Sequence, residues 1–116
     1  MTSEQWVKAC AASDIDREDV VRFDCGESTY AVYRTEDDGY YATDGHCTHG
    51  RFHLADGLVT GKTIECPKHN GRFDIPTGEA KRAPACVRLR TYPVRVDGGC
   101  VYIRIDGGDA STGDAT

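Results

Sequence analysis

Two short segments of the chain pair a thiol with an imidazole: Cys47-Thr48-His49 and Cys66-Pro67-Lys68-His69, with sixteen residues between His49 and Cys66. Two sulfurs and two nitrogens offered from tight loops suit either a tetrahedral zinc ion or a two-iron cluster with mixed ligation. Zinc ribbons and fingers usually pair like with like, Cys with Cys and His with His. Here each arm runs Cys then His, and the first arm has one intervening residue. In a two-iron centre that order lets the two cysteines share one iron and the two histidines the other. His46 and His53 stand close by in sequence but do not fit the Cys-x-His…Cys-x2-His spacing. They read as hydrogen-bonding residues of the surface or loop, not as ligands.

The elements that must hold these loops are short strands. Glu4 to Ala9 alternates like a first strand, with Trp6 as its apolar anchor. Ser13 to Asp16 predicts a turn or a single helical turn, since Ser13 and Asp14 can cap backbone donors. Val20 to Phe23 and Thr29 to Arg34 are β-rich runs joined at Cys25-Gly26-Glu27-Ser28, which predicts a hairpin. Glu36 to Gly39 makes another turn, and Tyr40 to Thr43 a strand that leads into the Cys/His region. Beyond that region, Thr91 to Val96 and Cys100 to Ile105 flank Asp97-Gly98-Gly99, the strongest hairpin signal in the chain. Pro93 confines its strand to an edge or to irregular pairing. No long amphipathic helical pattern occurs, so the expectation is an all-β fold of antiparallel sheets. The Cys/His region would be a small inserted lobe over about 45–84. Phe52 and Phe73 are expected to pack that lobe, with Phe52 or Phe73 against a docking partner as the second option. Asp106 to Thr116 is Gly, Asp, Ser and Thr and reads as a flexible tail.

A chain of 116 residues supports one core. Its apolar runs are a few residues long, against roughly 20 for a bilayer span. The start Met1-Thr2-Ser3-Glu4-Gln5-Trp6 has neither a basic region nor an apolar stretch of a leader. The expectation is a cytoplasmic protein without a membrane anchor. In that reducing setting Cys10, Cys25, Cys86 and Cys100 are not expected to form disulfides. Cys10, Cys86 and Cys100 sit beside apolar residues and read as small core fillers.

The net charge is −5. Residues 45–82 hold six basic and four acidic side chains, leaving eight basic and fifteen acidic elsewhere. The acidity therefore lies away from the Cys/His region. Nucleic acid needs a concentrated basic face, which is missing. A near-neutral tip on an acidic body could instead orient docking to protein partners.

The Cys-x-His…Cys-x2-His motif resembles that of the Rieske [2Fe-2S] family. Its surroundings are similar in the family's order: Leu54-Ala55-Asp56-Gly57, Cys66-Pro67, Gly71-Arg72-Phe73-Asp74, Thr77-Gly78-Glu79 and Ala83-Pro84-Ala85. The resemblance covers roughly residues 3 to 105. It implies a single Rieske ferredoxin domain over 1–105 with the cluster lobe at about 45–84 and a flexible tail at 106–116. It implies one Rieske-type cluster held by Cys47, His49, Cys66 and His69, and a third loop, Ala83 to Ala85, that shields it. Each histidine would bind iron through one nitrogen and present the other at the surface.

Ligand charge sets the expected redox range. Two ferric ions, two sulfides and two thiolates sum to zero, whereas four thiolates would leave the cluster at −2. The less negative centre accepts an electron more easily, raising potentials from roughly −400 mV to roughly −150 to +300 mV. Two features found in the family's high-potential branch are missing. Neither arm carries the extra cysteine of the inter-loop disulfide, and Asn70-Gly71-Arg72 follows His69 without the Ser and Tyr donors. The low end of the range is therefore expected.

The resemblance implies a soluble electron carrier and not an enzyme, since a fully ligated cluster leaves no site for substrate. It would pass single electrons from an NAD(P)H-dependent flavoprotein reductase to a terminal Rieske oxygenase that hydroxylates aromatic rings. No catalytic residue, no nucleic acid and no membrane are expected, and the chain should be a monomer. The alternatives are the small Rieske-like subunit of a cytosolic nitrite reductase and a zinc-binding interaction module.

Overall fold

The computed structural model describes residues 5–47, 52–67, 71–82 and 87–105. His49 and His69 lie outside the described residues, as do Gly50, Arg51, Lys68, Asn70, Ala83 to Ala85, Cys86 and the segment 106–116. The described chain forms eleven strands and two single turns of 3-10 helix.

The strands make three antiparallel sheets. In the first, β11 (Cys100–Arg104) lies between β1 (Trp6–Ala11) and β10 (Val94–Asp97). In the second, β2 (Asp19–Cys25), β3 (Ser28–Arg34), β4 (Tyr40–Asp44) and β9 (Thr91–Tyr92) follow one another in that order. The third is a meander of three-residue strands: β5 (Leu58–Thr60), β6 (Thr63–Glu65), β7 (Arg72–Asp74) and β8 (Ala80–Arg82).

The second sheet is covered on both faces, and β3 shows it. Tyr30, Ala31, Val32 and Tyr33 are all buried, where a strand with one wet face would alternate. Ala31 and Tyr33 join a cluster with Leu54, Val59, Ile64, Phe73 and Ile75 of the inserted region. Tyr30 and Val32 face the other way, towards Ile103 and Val101 of the first sheet. The Tyr30 ring meets Tyr92 edge-on at 5.1 Å. Consecutive residues on one strand thus tie two cores together.

The hairpins form where turn chemistry places them. Gly26 has φ +62° in the β2–β3 turn, and Gly98 and Gly99 have φ +58° and +77° in the β10–β11 turn. Positive φ at the first central position of the β2–β3 turn, and at both of the β10–β11 turn, gives hairpin geometries that glycine permits without strain. The helical turn Ala12–Asp14 overlaps the predicted segment but begins one residue before it, and the Asp14 carboxylate accepts the Ala11 N–H at 3.0 Å. The expected strand 91–96, however, is two strands. Pro93 cannot donate to a ladder, so Thr91–Tyr92 pair with β4 while Val94–Asp97 form the edge of the first sheet. The first strand also begins and ends two residues later than expected. Cys10 is half-buried on β1 and packs against the cluster of Ile15, Val32 and Val101, filling the margin of that core, while Cys100 on β11 is half-buried and not the core filler the sequence suggested. The described cysteines are free thiols.

The third sheet is fastened to the body at the β5–β6 turn. Glu18, itself at φ +60°, accepts the Gly61 N–H at 2.7 Å, and Glu36 N–H donates to Gly61 O at 3.3 Å. Lys62 pairs with Asp37 at 3.2 Å. Hydrogen bonds from Thr35 and Lys62 hold the Asp37 carboxyl below its ordinary range. At the far end, Leu89 N–H donates to Gly78 O at 2.8 Å. Gly78 has φ +77°, and a Cβ there would sit 2.2 Å from the Leu89 carbonyl oxygen. Gly78→Ala should therefore destabilise the protein by about 2 kcal/mol or more, combining left-handed strain with a backbone displacement. A urea midpoint that does not move would contradict this.

Candidate metal centre

The two cysteines of the motif sit in matching frames. Cys47 N–H donates to Phe52 O at 3.0 Å, and Cys66 N–H donates to Gly71 O at 2.7 Å. Each bond closes a loop of six residues, and each loop begins at the cysteine of its arm. The first loop leaves β4 and returns to the helical turn Leu54–Asp56; the second links β6 to β7. His49 and His69 fall within these two loops in sequence.

Both thiols are deep. Cys47 is 3 % exposed and Cys66 is fully buried, within the cluster that contains Tyr33, Ile64, Phe73 and Leu89. A thiolate in such apolar surroundings would be costly without a cation beside it. The structure thus brings two sulfur donors into one buried cluster at the bases of the loops that carry the two histidines. Pro67 follows Cys66 in a turn and limits that loop's freedom. Arg72, directly after Gly71, donates from Nη2 to Glu65 Oε1 at 3.2 Å, while its Nε–H is buried with no partner among the described residues. That leaves a spare donor at the edge of the second loop. No group of three or more metal-ligating side chains occurs among the described residues, which do not include His49 and His69.

Neighbouring polar groups are committed to one another. Tyr33 is buried beneath the loops, with its hydroxyl 2.8 Å from Thr43 Oγ1; Thr43 in turn donates to Asp44 O at 2.7 Å, so Tyr33 is the donor to Thr43. Burial pushes the Tyr33 pKa well up, and the charge of Cys47 adds to that. Tyr92 is likewise raised, first by burial and then by Asp44, whose carboxylate it binds at 2.5 Å.

His53 corrects the sequence reading in part. It does form hydrogen bonds, but at 6 % exposure it is no surface residue. Its Nδ1 accepts the Ala55 N–H at 3.0 Å and caps the Leu54–Asp56 turn, and its Nε2 lies 2.8 Å from Thr29 Oγ1. Burial, helped by Arg22 and His46, pushes its pKa down and favours the neutral ring. His46 forms a β-bridge with His53 and meets its ring edge-on at 5.5 Å. Phe73 packs the lobe core as expected, whereas Phe52 is 37 % exposed, since its carbonyl and not its ring serves the loop closure.

A sequence profile of the Rieske [2Fe-2S] domain matches residues 5–93. The chain belongs to the Rieske [2Fe-2S] ferredoxin family. It is 42 % identical over 101 residues to the ferredoxin component of the naphthalene 1,2-dioxygenase system of Pseudomonas aeruginosa, covering 87 % of this chain and 96 % of the relative. Among solved structures, the ferredoxin complexed with the oxygenase of carbazole 1,9a-dioxygenase superposes with a TM-score of 0.82 at 40 % identity, covering 88 % of this chain and 94 % of that one. A chain from Mycobacterium tuberculosis, described as an NADH-dependent nitrite reductase small subunit, superposes with a TM-score of 0.76 at 20 % identity, covering 88 % of this chain and 96 % of that one. That likeness shows the fold alone. The relatives are named as ferredoxin components, electron carriers distinct from the oxygenases that do the chemistry. The Rieske domain carries one Rieske-type [2Fe-2S] cluster, and two buried thiols on paired loops fit its sulfur-ligated iron.

Proposed function

We propose that this Rieske protein is the soluble electron-transfer component of an aromatic-ring-hydroxylating oxygenase system, with Cys47, His49, Cys66 and His69 as the cluster ligands. The pair of six-residue loops closed at Cys47 and Cys66 carries this reading, because their two thiols share one buried cluster and His49 and His69 fall within the same two loops in sequence. When bound, the cluster supplies storage for one electron. The protein's own part is to exclude water from the sulfur side through Tyr33, Ile64, Phe73 and Leu89. No helix among the described residues is long and apolar enough to cross a membrane. The rest of the reading is one domain over 1–105, a cluster lobe at about 45–84, a tail at 106–116, a monomer, and a cytoplasmic location.

The electron donor in this reading is an NAD(P)H-dependent flavoprotein reductase, and the acceptor is the terminal oxygenase. The ferredoxin–oxygenase pairing of the carbazole system supports the second half. A potential at the low end of the Rieske range belongs to this reading, because neither arm carries the extra cysteine of the high-potential branch and Asn70-Gly71-Arg72 follows His69 without its Ser and Tyr donors. His49→Cys and His69→Cys each add a negative charge and should lower the potential towards roughly −400 mV. Protein-film voltammetry checks this; an unchanged potential removes that histidine from the metal.

The test of function is transfer itself. Protein reduced with dithionite, desalted and mixed anaerobically with an oxidised aromatic-ring oxygenase should give up one electron per molecule within the oxygenase's turnover time. Failure with oxygenases, together with ready transfer to a nitrite reductase large subunit, would favour the nitrite reductase reading. The higher identity to dioxygenase ferredoxins weighs against that outcome.

A further inference from the structure

His53 lies outside the ligand pattern, yet its surroundings place it at the neck of the first ligand loop. The loop leaves at His46-Cys47 and returns at Phe52-His53, and the two ends meet as the His46–His53 bridge. Leu54 N–H donates to Gly45 O at 2.7 Å, and Gly45 N–H donates to Thr29 O at 3.0 Å. The fit is tight, since a Cβ on Gly45 would lie 2.5 Å from His53 Nε2.

The side-chain bonds can be given directions. A ring nitrogen that accepts a hydrogen bond carries no proton, so the Ala55 N–H bond to Nδ1 places the neutral ring's proton on Nε2. Nε2–H then donates to Thr29 Oγ1 at 2.8 Å. Thr29 passes its own hydroxyl proton to Asp24 Oδ1 at 2.5 Å, and Arg22 Nε donates to the same carboxylate at 3.0 Å. Bonds from Thr29 and Arg22 hold Asp24 below its ordinary range, keeping it an acceptor. The relay runs from the neck of the ligand loop to the β2–β3 hairpin, with His53 and Thr29 donating in turn towards Asp24.

We infer that His53 is a positioning residue for the cluster: through Thr29 and Asp24 it fastens the neck of the first ligand loop to the body, and retention of the cluster depends on that fastening. This rests on the assignment of Cys47 and His49 as ligands. A cut relay leaves the ligands in place but frees the neck to open, so that iron escapes faster. The loss is specific to the hydrogen bonds, which separates it from simple packing.

The test follows bleaching of the cluster-loaded protein under excess iron chelator. His53→Leu fills similar space without either bond, and should release the cluster about tenfold faster, the equivalent of roughly one net hydrogen bond to a buried group. Thr29→Val keeps the shape of Thr29, loses its hydroxyl, and should do the same; it carries the test if His53→Leu does not load. The double variant should be no faster than either single one, because both cut the same relay. His53→Gln offers one acceptor and one donor and should stay within about twofold of wild type. Release at the wild-type rate in both Leu and Val variants, a Gln variant as fast as Leu, or effects that multiply in the double variant would overturn the positioning role alone. A wild-type protein that binds no cluster would overturn the ligand assignment with it.

Discussion

Cys66→Ala will produce a protein that cannot hold its cluster, with iron falling from about two per chain to a small residue. The thiol lies in a fully buried position at the mouth of the second loop, and no described side chain nearby can replace its sulfur. Removing one sulfur atom from the core costs only about 1 kcal/mol, so the chain should still fold. Cys25→Ala is the matched control. Cys25 is half-buried where β2 turns into β3, among Phe23 and Tyr30 of the other core, and its loss should leave iron content and colour unchanged. Iron and acid-labile sulfide analysis after anaerobic reconstitution reads both variants. A fully loaded Cys66→Ala protein would contradict the assignment.

Phe73→Ala should be the most damaging substitution outside the ligands. Phe73 is fully buried at the centre of β7, paired with Ile64, in the cluster that also holds Cys47 and Cys66. Truncating a buried phenylalanine costs about 3–5 kcal/mol through lost burial and the cavity left behind. Here the cavity opens beside the cysteines, so water reaches the sulfur side and cluster loss should accompany the lower stability. Phe52→Ala should cost clearly less, about 1–2 kcal/mol, since at 37 % exposure part of the ring is already in water and no enclosed cavity is left behind. Urea denaturation and cluster release, measured together, check the pair; similar effects for the two phenylalanines would contradict the packing described.

Much of this was legible in the chain because turn chemistry and ligand spacing are local. Gly26 and the Gly98-Gly99 pair announce their hairpins, and the Cys-x-His…Cys-x2-His spacing announces the cluster without any knowledge of the fold. What stayed hidden depends on the whole molecule. The run Thr91 to Val96 reads as one strand; only the positions of β4 and β11 decide that Pro93 hands it from one sheet to another. Tyr30 to Tyr33 reads as a β-rich run, but a neighbour on each side is needed to explain why all four are buried. His53 is the clearest case. Nothing in its local sequence reveals that Thr29, twenty-four residues earlier, waits to accept its proton. Phe52 shows the reverse, an aromatic residue in a lobe that sequence alone would bury.

The most direct test of the account is pulsed EPR on the anaerobically dithionite-reduced protein. The account predicts a spin-coupled [2Fe-2S] signal with couplings from two imidazole nitrogens, one of which disappears in His49→Cys and the other in His69→Cys. A reduced cluster without nitrogen coupling, or an EPR-silent protein that contains zinc, would contradict it.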